Sequence, residues 1–190
     1  MEAAEELSFH VGLAEQGKIH HLAGKDTLAL GYFREALKRA VNEGAAEIFF
    51  RYYMHLSLEV LEKQGHAEEV VEYCDRAISH YGEQDTLDQY AAKDLIDTWQ
   101  RKGICLMKIE NNSEALKAFN EANKKAAEYG IKAPLAKAFL PWVSRSYTIR
   151  PEQLERQLKD QKYFSIRPDT IDKNRAIRLE GLERSLASAG

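Results

Sequence analysis

Histidine is the residue type in this sequence best suited to bind a metal or to exchange a proton near neutral pH, and the chain has six of them. His20 and His21 are adjacent, so on a helix their side chains point about 100° apart and cannot bind one metal ion together. No HExxH motif occurs and no Glu lies three residues before a His, which excludes the zinc-protease and di-iron helix motifs. His55 and Glu59, four residues apart, are typical of a helix surface. We therefore expect no metal site and no cofactor.

The sequence also lacks the usual motifs for nucleophilic or nucleotide chemistry. It contains no GxSxG, no P-loop and no glycine-rich dinucleotide motif, and Cys74 and Cys105 do not form a CxxC pair. Two isolated cysteines without an export signal indicate reduced, packed side chains. We expect no catalytic residues and a protein that is not an enzyme. An enzyme with a site built from scattered residues, or an enzyme inhibitor, is the remaining alternative.

The charge pattern argues against a polyanionic partner. The formal net charge is −3, with ten Lys or Arg and seven Asp or Glu in residues 145–190, so an acidic body precedes a mildly basic tail. Arg178 and Arg184 in the tail alternate with Glu180 and Glu183, which disfavours nucleic-acid binding. The N-terminus is acidic and no stretch of about 18 apolar residues occurs, so we expect a cytoplasmic protein with no membrane contact.

A pattern of small and bulky residues recurs three times along the chain, in residues 23–44, 64–82 and 110–130. In each copy a small or apolar residue is followed four residues later by Phe or Cys and three residues after that by an alanine, which places all three on one helix face. The matching positions are Ala29, Phe33 and Ala36, then Val70, Cys74 and Ala77, then Ala115, Phe119 and Ala122. Each copy ends at a glycine, a residue that often terminates helices. One helix cannot bury such a face alone, so the pattern predicts an array of stacked helices.

The segment before each copy has the apolar spacing of a partner helix. Gly17 and Gly103 fall where this partner helix passes closest to the helix that follows it. A glycine inside a helix costs about 1 kcal/mol relative to alanine. We therefore expect both glycines to allow close packing of two helices.

These residues resemble the tetratricopeptide repeat pattern, W-x2-L-G-x2-Y followed by A-x3-F-x2-A and P. The third copy matches at Trp99, Gly103, Ala115, Phe119 and Ala122, and the first at Gly17, Ala29, Phe33 and Ala36. The copies are 41 and 45 residues apart at Ala36, Ala77 and Ala122, longer than the family period of about 34. The resemblance implies an all-α, right-handed superhelical array of antiparallel helix hairpins, with HEAT-like helical pairs as the alternative.

The expected organisation is a repeat domain in residues 1–148 and a C-terminal helical extension in residues 149–190. The repeat domain comprises copies at 10–44, 51–82 and 96–130 and a capping helix at 134–148. Residues 165–190 are expected to form a last helix, because Leu179, Leu182 and Leu186 fall on one side of it.

In a repeat array of this kind, the resemblance implies that the first helix of each hairpin lines a concave groove. The side chains expected to face the groove and bind a partner are Lys18, His21, Tyr52, His55, Glu59, Arg101, Ile104 and Lys108. We expect a protein–protein interaction adaptor that binds a peptide or helix of a partner protein there. The alternative is a structural subunit that self-associates or joins a larger complex. The sequence also leaves open a third arrangement, in which the protein's own termini, the acidic N-terminal segment or the last helix, fill the groove.

Overall fold

The computed structural model describes residues 2–145 and 149–187 of the chain, with side chains from 9 to 186. Over these residues the secondary structure consists of nine α-helices and one 3-10 turn, with no strand, which confirms the all-α class. The helices are α1 (Glu2–Leu22), α2 (Asp26–Asn42), α3 (Glu47–Lys63), α4 (Ala67–Gly82), α5 (Gln89–Lys108), α6 (Asn112–Tyr129), α7 (Pro134–Ser144), α8 (Pro151–Asp160) and α9 (Glu180–Ala187).

Several helix ends follow from local sequence. Asp88 caps α5 because its side chain accepts a hydrogen bond from the Ala91 amide at 2.7 Å. Asn111 caps α6 in the same way. Gly130 ends α6 in the left-handed conformation with φ 67°, as the sequence predicts, whereas Gly82 remains the last residue of α4 without a positive φ.

The chain forms two compact units, Met1–Lys63 with Phe164–Gly190 and Gln64–Tyr163. The division falls within the second predicted copy, since α3 belongs to the first unit and α4 to the second. Residues 164–190, expected as part of a separate extension, belong to the first unit. The predicted cap corresponds to α7, and its last residues, 146–148, lie outside the described part of the chain.

In the first unit, α2 packs between α1 and α3. Phe33 on α2 is fully buried, and its ring lies against Gly17 of α1 so closely that a Cβ on Gly17 would lie 2.5 Å from it. The core also includes Leu13, Tyr53 and Ile166. The close helix approach predicted at Gly17 is therefore confirmed.

The second unit repeats this contact. Gly103 of α5 lies against the buried ring of Phe119 on α6, and a Cβ on Gly103 would again lie 2.5 Å from that ring. The Phe119 ring stacks on Phe139 of α7, with ring centroids 6.0 Å apart. Cys74 on α4 is fully buried, as expected for a packed side chain.

The prediction of a last helix is wrong for residues 165–179. This stretch contains only the 3-10 turn Pro168–Thr170 and irregular chain, and α9 begins at Glu180. Several of its main-chain groups bond to side chains of α1, α2 and α3 instead, namely the N–H groups of Ser165, Ile166, Asp172 and Leu179 and the carbonyl oxygen of Thr170. These bonds replace the hydrogen bonds that a helix would make with residues four positions away.

Candidate functional site

Residues 164–187, here called the C-terminal segment, lie across a surface of the first unit that we call the segment-binding face. The face is defined by Gly12, Glu15 and Lys18 on α1, Tyr32 on α2 and Glu59 on α3. Its polar contacts to residues 164–179 are bonds to main-chain groups. The face therefore binds this part of the chain mainly through its backbone.

Glu59 holds the beginning of the segment. Its carboxylate oxygens accept the main-chain N–H groups of Ser165 and Ile166, each at 2.7 Å. Glu59 is fully buried, and Ile166 beside it enters the core at 5% exposure. Phe164 lies just before this contact, with the ammonium of Lys63 3.6 Å from its ring centroid. A charged acceptor on two amides and an apolar side chain beside them anchor this end of the segment.

Lys18 and Glu15 hold the middle of the segment. The Lys18 ammonium donates to the carbonyl oxygen of Thr170 at 2.9 Å and forms an ion pair with Glu15 at 2.6 Å. Glu15 in turn accepts the main-chain N–H of Asp172 at 2.9 Å. The Lys18 residue is only 2% exposed, so its charge is compensated by this pair and by the carbonyl dipole.

Two glycines allow the segment to approach the helices closely. The carbonyl oxygen of Gly12 accepts the Ile177 N–H at 3.0 Å, and a Cβ on Gly12 would lie 2.5 Å from the Ile177 side chain. A Cβ on Gly31 of α2 would likewise overlap Leu186 of α9. Neither glycine belongs to the repeat pattern, and both lie beneath the C-terminal segment.

Tyr32 binds the end of the segment. Its hydroxyl accepts the main-chain N–H of Leu179 at 2.8 Å and donates to the carboxylate of Glu183 at 2.9 Å. Burial raises the pKa of the Tyr32 phenol, so it keeps its proton at neutral pH. The hydrogen bonds from Arg178, and then from Tyr32, lower the pKa of Glu183 to about 2. Burial lowers the pKa of His20, which lies 3.3 Å from Glu183, and this effect outweighs the attraction of that carboxylate.

The structure brings some of the predicted groove residues of the first unit together and separates others. Lys18 and Glu59 both hold the C-terminal segment, as above. The hydroxyl of Tyr52 lies 3.4 Å from the Lys18 ammonium, and Tyr52 is 38% exposed. His21 is bound to Asp26 at 2.7 Å, and His55 is half-buried on α3.

The predicted residues of the second unit also make contacts within that unit. The Arg101 guanidinium lies 5.1 Å from the ring centroid of Tyr163, and Lys108 forms an ion pair with Glu155 at 3.3 Å. Ile104 is fully buried, so its side chain is unavailable to a partner in this conformation.

Sequence reasoning missed Glu15, Tyr32 and Gly12. Glu15 resembles an ordinary charged helix residue, and Tyr32 lies next to the conspicuous Phe33. Gly12 carried a usable signal, because a glycine inside a helix that has no repeat role indicates close approach of another part of the chain.

The side chains of the segment-binding face form hydrogen bonds to a polypeptide backbone. Among them, no group of three or more His, Cys, Asp or Glu residues could hold a metal ion. None of the helices placed in the structure is both long enough and apolar enough to cross a membrane.

The chain matches no family model, no curated protein and no solved structure.

Proposed function

We propose that this protein is a non-catalytic adaptor that binds a segment of a partner protein on its helical hairpins. The observation that carries this proposal is that the segment-binding face already holds a length of polypeptide in this structure. Glu59, Glu15 and Lys18 bind the main chain of residues 165–172 there. A surface with this chemistry suits a peptide ligand, since main-chain bonds provide affinity and side-chain contacts provide specificity.

The repeated hairpin contact supports a helical-repeat architecture of the tetratricopeptide type. Gly17 lies against Phe33 and Gly103 lies against Phe119 with the same 2.5 Å approach. Each of these hairpins belongs to one unit, and the family's superhelical arrangement of successive hairpins is part of the proposal. The proposal places the adaptor in the cytoplasm, where the reduced pair Cys74 and Cys105 would be stable.

Tyr52 is the residue best placed to contact a partner without disturbing the core. It is 38% exposed and lies beside Lys18 at the edge of the segment-binding face. Exposed tyrosines combine apolar area with a hydroxyl and are frequent binding anchors. Tyr90 on α5 of the second unit is 71% exposed and is a matched control.

The test is affinity capture from the native cell with three full-length baits, wild type, Tyr52→Ala and Tyr90→Ala. Recovered proteins are then titrated as purified species against each bait. We expect a saturable partner whose affinity falls about tenfold or more with Tyr52→Ala and is unchanged with Tyr90→Ala, as for an interface anchor. Absence of saturable binding would overturn the adaptor function. Recovery of this chain alone, with a concentration-dependent mass in light scattering, would support a self-associating structural subunit in its place.

A further inference from the structure

The segment-binding face holds charged groups under the C-terminal segment, where apolar groups would often be as stable or more stable if the cover were permanent. Glu59 is fully buried, Lys18 is 2% exposed and Glu15 is 8% exposed. Covering such charges removes their hydration, and well-packed apolar residues are often equal or better in that position. Charged groups are favoured where a surface is alternately covered and exposed to water. We propose that the C-terminal segment is a displaceable ligand of its own chain, and that an extended segment of the partner takes its place.

This inference rests on the proposed adaptor function and assigns it a site. The bonds from Glu59, Glu15 and Lys18 go to main-chain N–H and C=O groups, which every polypeptide carries. The main-chain oxygen of Gly12 adds a further such bond. A partner segment in the same path can therefore make these contacts whatever its side chains.

Two apolar positions determine which segments fit. Ile166 fills the core next to Glu59, and Ile177 lies directly over Gly12. The fitting partner has a branched aliphatic residue at the position of Ile166. Glu59 accepts the main-chain N–H of that residue and of the residue before it, so neither of the two can be proline. It has a second aliphatic residue at the position of Ile177. The side chain there packs directly on the backbone of Gly12, where a Cβ on residue 12 would leave no room for it.

An acidic group completes the expected ligand. The carboxylate of Glu183 accepts a hydrogen bond from the Tyr32 hydroxyl and lies near His20. Without a carboxylate there, the buried hydroxyl of Tyr32 loses its acceptor. The partner is thus a segment with aliphatic residues at the positions of Ile166 and Ile177, followed by a short helix that carries an acidic residue at the position of Glu183.

The C-terminal segment competes with any such partner because it is tethered to the same chain, which raises its local concentration. Weakening the segment without altering the face must therefore increase the affinity for a ligand added in trans. Ile177→Ala and Leu186→Ala weaken the segment, since both side chains pack over helix glycines. Asn174→Ala is the matched control, because Asn174 is an exposed residue of the same segment.

The probe is a fluorescent synthetic peptide of residues 163–187, titrated into full-length protein by anisotropy. We expect the peptide to bind Ile177→Ala and Leu186→Ala at least about tenfold more tightly than wild type, and Asn174→Ala like wild type. A peptide that itself carries Ile177→Ala should bind these variants at least about tenfold less tightly than the wild-type peptide, because it lacks the side chain that packs on Gly12. Equal binding of the wild-type peptide to all chains, or equal binding of the two peptides, would overturn the inference.

A second measurement uses the wild-type segment and face, so it does not depend on how the variants fold. A protease site inserted at the exposed turn of Gln161 and Lys162 allows the folded chain to be cut once. Exchange of the released fragment for the labelled peptide, followed by mass spectrometry, is the expected result. A fragment that stays bound until the whole chain unfolds would show that the segment is a fixed part of the fold. That failure would leave the Tyr52-dependent partner binding intact, so the two proposals fail separately.

Discussion

Glu59 and Ile166 lie 107 residues apart in the chain, and the carboxylate of the first accepts the main-chain N–H of the second at 2.7 Å. The other oxygen of the same carboxylate accepts the neighbouring amide of Ser165. One buried side chain thus joins α3 to the C-terminal segment through two charge-assisted hydrogen bonds.

Glu59→Gln should therefore destabilise the protein. A glutamine has one acceptor oxygen, so one amide of the pair would face an NH2 group instead of an acceptor. We expect the free energy of unfolding to fall by about 2–3 kcal/mol, measured by urea denaturation with circular dichroism. Glu72→Gln on the exposed surface of α4 is the control and should change the stability by less than about 0.5 kcal/mol. An equal effect of both variants would contradict the importance of the Glu59 bonds.

Gly17→Ala and Gly103→Ala test the contact shared by the two hairpins. Alanine is the better helix former by about 1 kcal/mol, but its Cβ would lie 2.5 Å from the ring of Phe33 or Phe119. We expect the steric effect to dominate, with a net loss of about 1–3 kcal/mol in each case, measured by thermal and urea unfolding. Gly82→Ala is the opposite case, because nothing lies within 4 Å of a Cβ there. It should be neutral or stabilising, and a loss at Gly82 as large as at Gly17 would contradict the packing explanation.

The sequence predicts the hairpins because they depend on local periodicity. The spacing of Ala29, Phe33 and Ala36 predicts which face of α2 is buried, and all three are fully buried. Gly17 and Gly103 are predictable for the same reason, since a costly glycine inside an amphipathic helix requires a close neighbour.

The C-terminal segment is not predictable in this way. Its contacts join residues more than 100 positions apart, and they use main-chain groups that leave no mark in the side-chain pattern. The spacing of Leu179, Leu182 and Leu186 favours a helix, and the structure forms that helix only from Glu180 onward. The repeat resemblance places Glu59 on the surface of a groove. Its complete burial follows from its bonds to the C-terminal segment, which the local sequence does not identify.

Gln100 offers a test within the second unit. Its side-chain oxygen accepts the main-chain N–H groups of Leu135 and Ala136, at 2.9 and 3.2 Å, in the first turn of α7. Gln100→Met keeps the length of the side chain and removes the acceptor, leaving these amides without it. We expect a loss of about 1–3 kcal/mol and faster amide hydrogen exchange at Leu135 and Ala136. Unchanged hydrogen exchange at both amides would show that α7 does not depend on this cap. Lys137→Met, on the exposed side of α7, is the control for introducing an apolar side chain.

Cys74 and Cys105 should be protected from thiol reagents. Both are fully buried in the second unit and neither forms a disulfide. A thiol must reach solvent and ionise before it reacts, so the native protein should release almost no chromophore from Ellman's reagent within minutes at pH 8. In denaturing urea we expect two thiols per chain. Fast reaction of either thiol in the native protein would contradict its burial, and Cys74→Ala and Cys105→Ala identify the residue responsible.

His10 and His20 should make the protein less stable in mild acid. Burial lowers the pKa of both imidazoles below the ordinary value of 6.5. His10 is fully buried, with Nδ1 bonded to the Tyr53 hydroxyl at 2.5 Å and Nε2 without a hydrogen-bond partner among the described residues. Because the unfolded chain takes up these protons at a higher pH than the folded chain, the free energy of unfolding falls as the pH drops below about 6.5. The loss stops increasing once the pH is below the folded pKa values.

Glu183 contributes to the free energy of unfolding in a separate, more acidic pH range. Its pKa of about 2 in the folded protein lies below the ordinary value of 4.5, so its stabilising contribution is present above about 4.5 and is lost as the pH falls toward 2. Urea unfolding measured from pH 8 to pH 3 should thus show two regions of decline. His10→Gln should reduce only the upper decline, and Glu183→Gln should reduce the lower one. Glu183→Gln should also enlarge the upper decline, because its carboxylate favours the charged form of His20. NMR titration of the histidine ring protons gives the pKa values directly. A His10 pKa at or above 6.5 would contradict the burial argument, because a desolvated imidazole without a paired Nε2 must resist protonation.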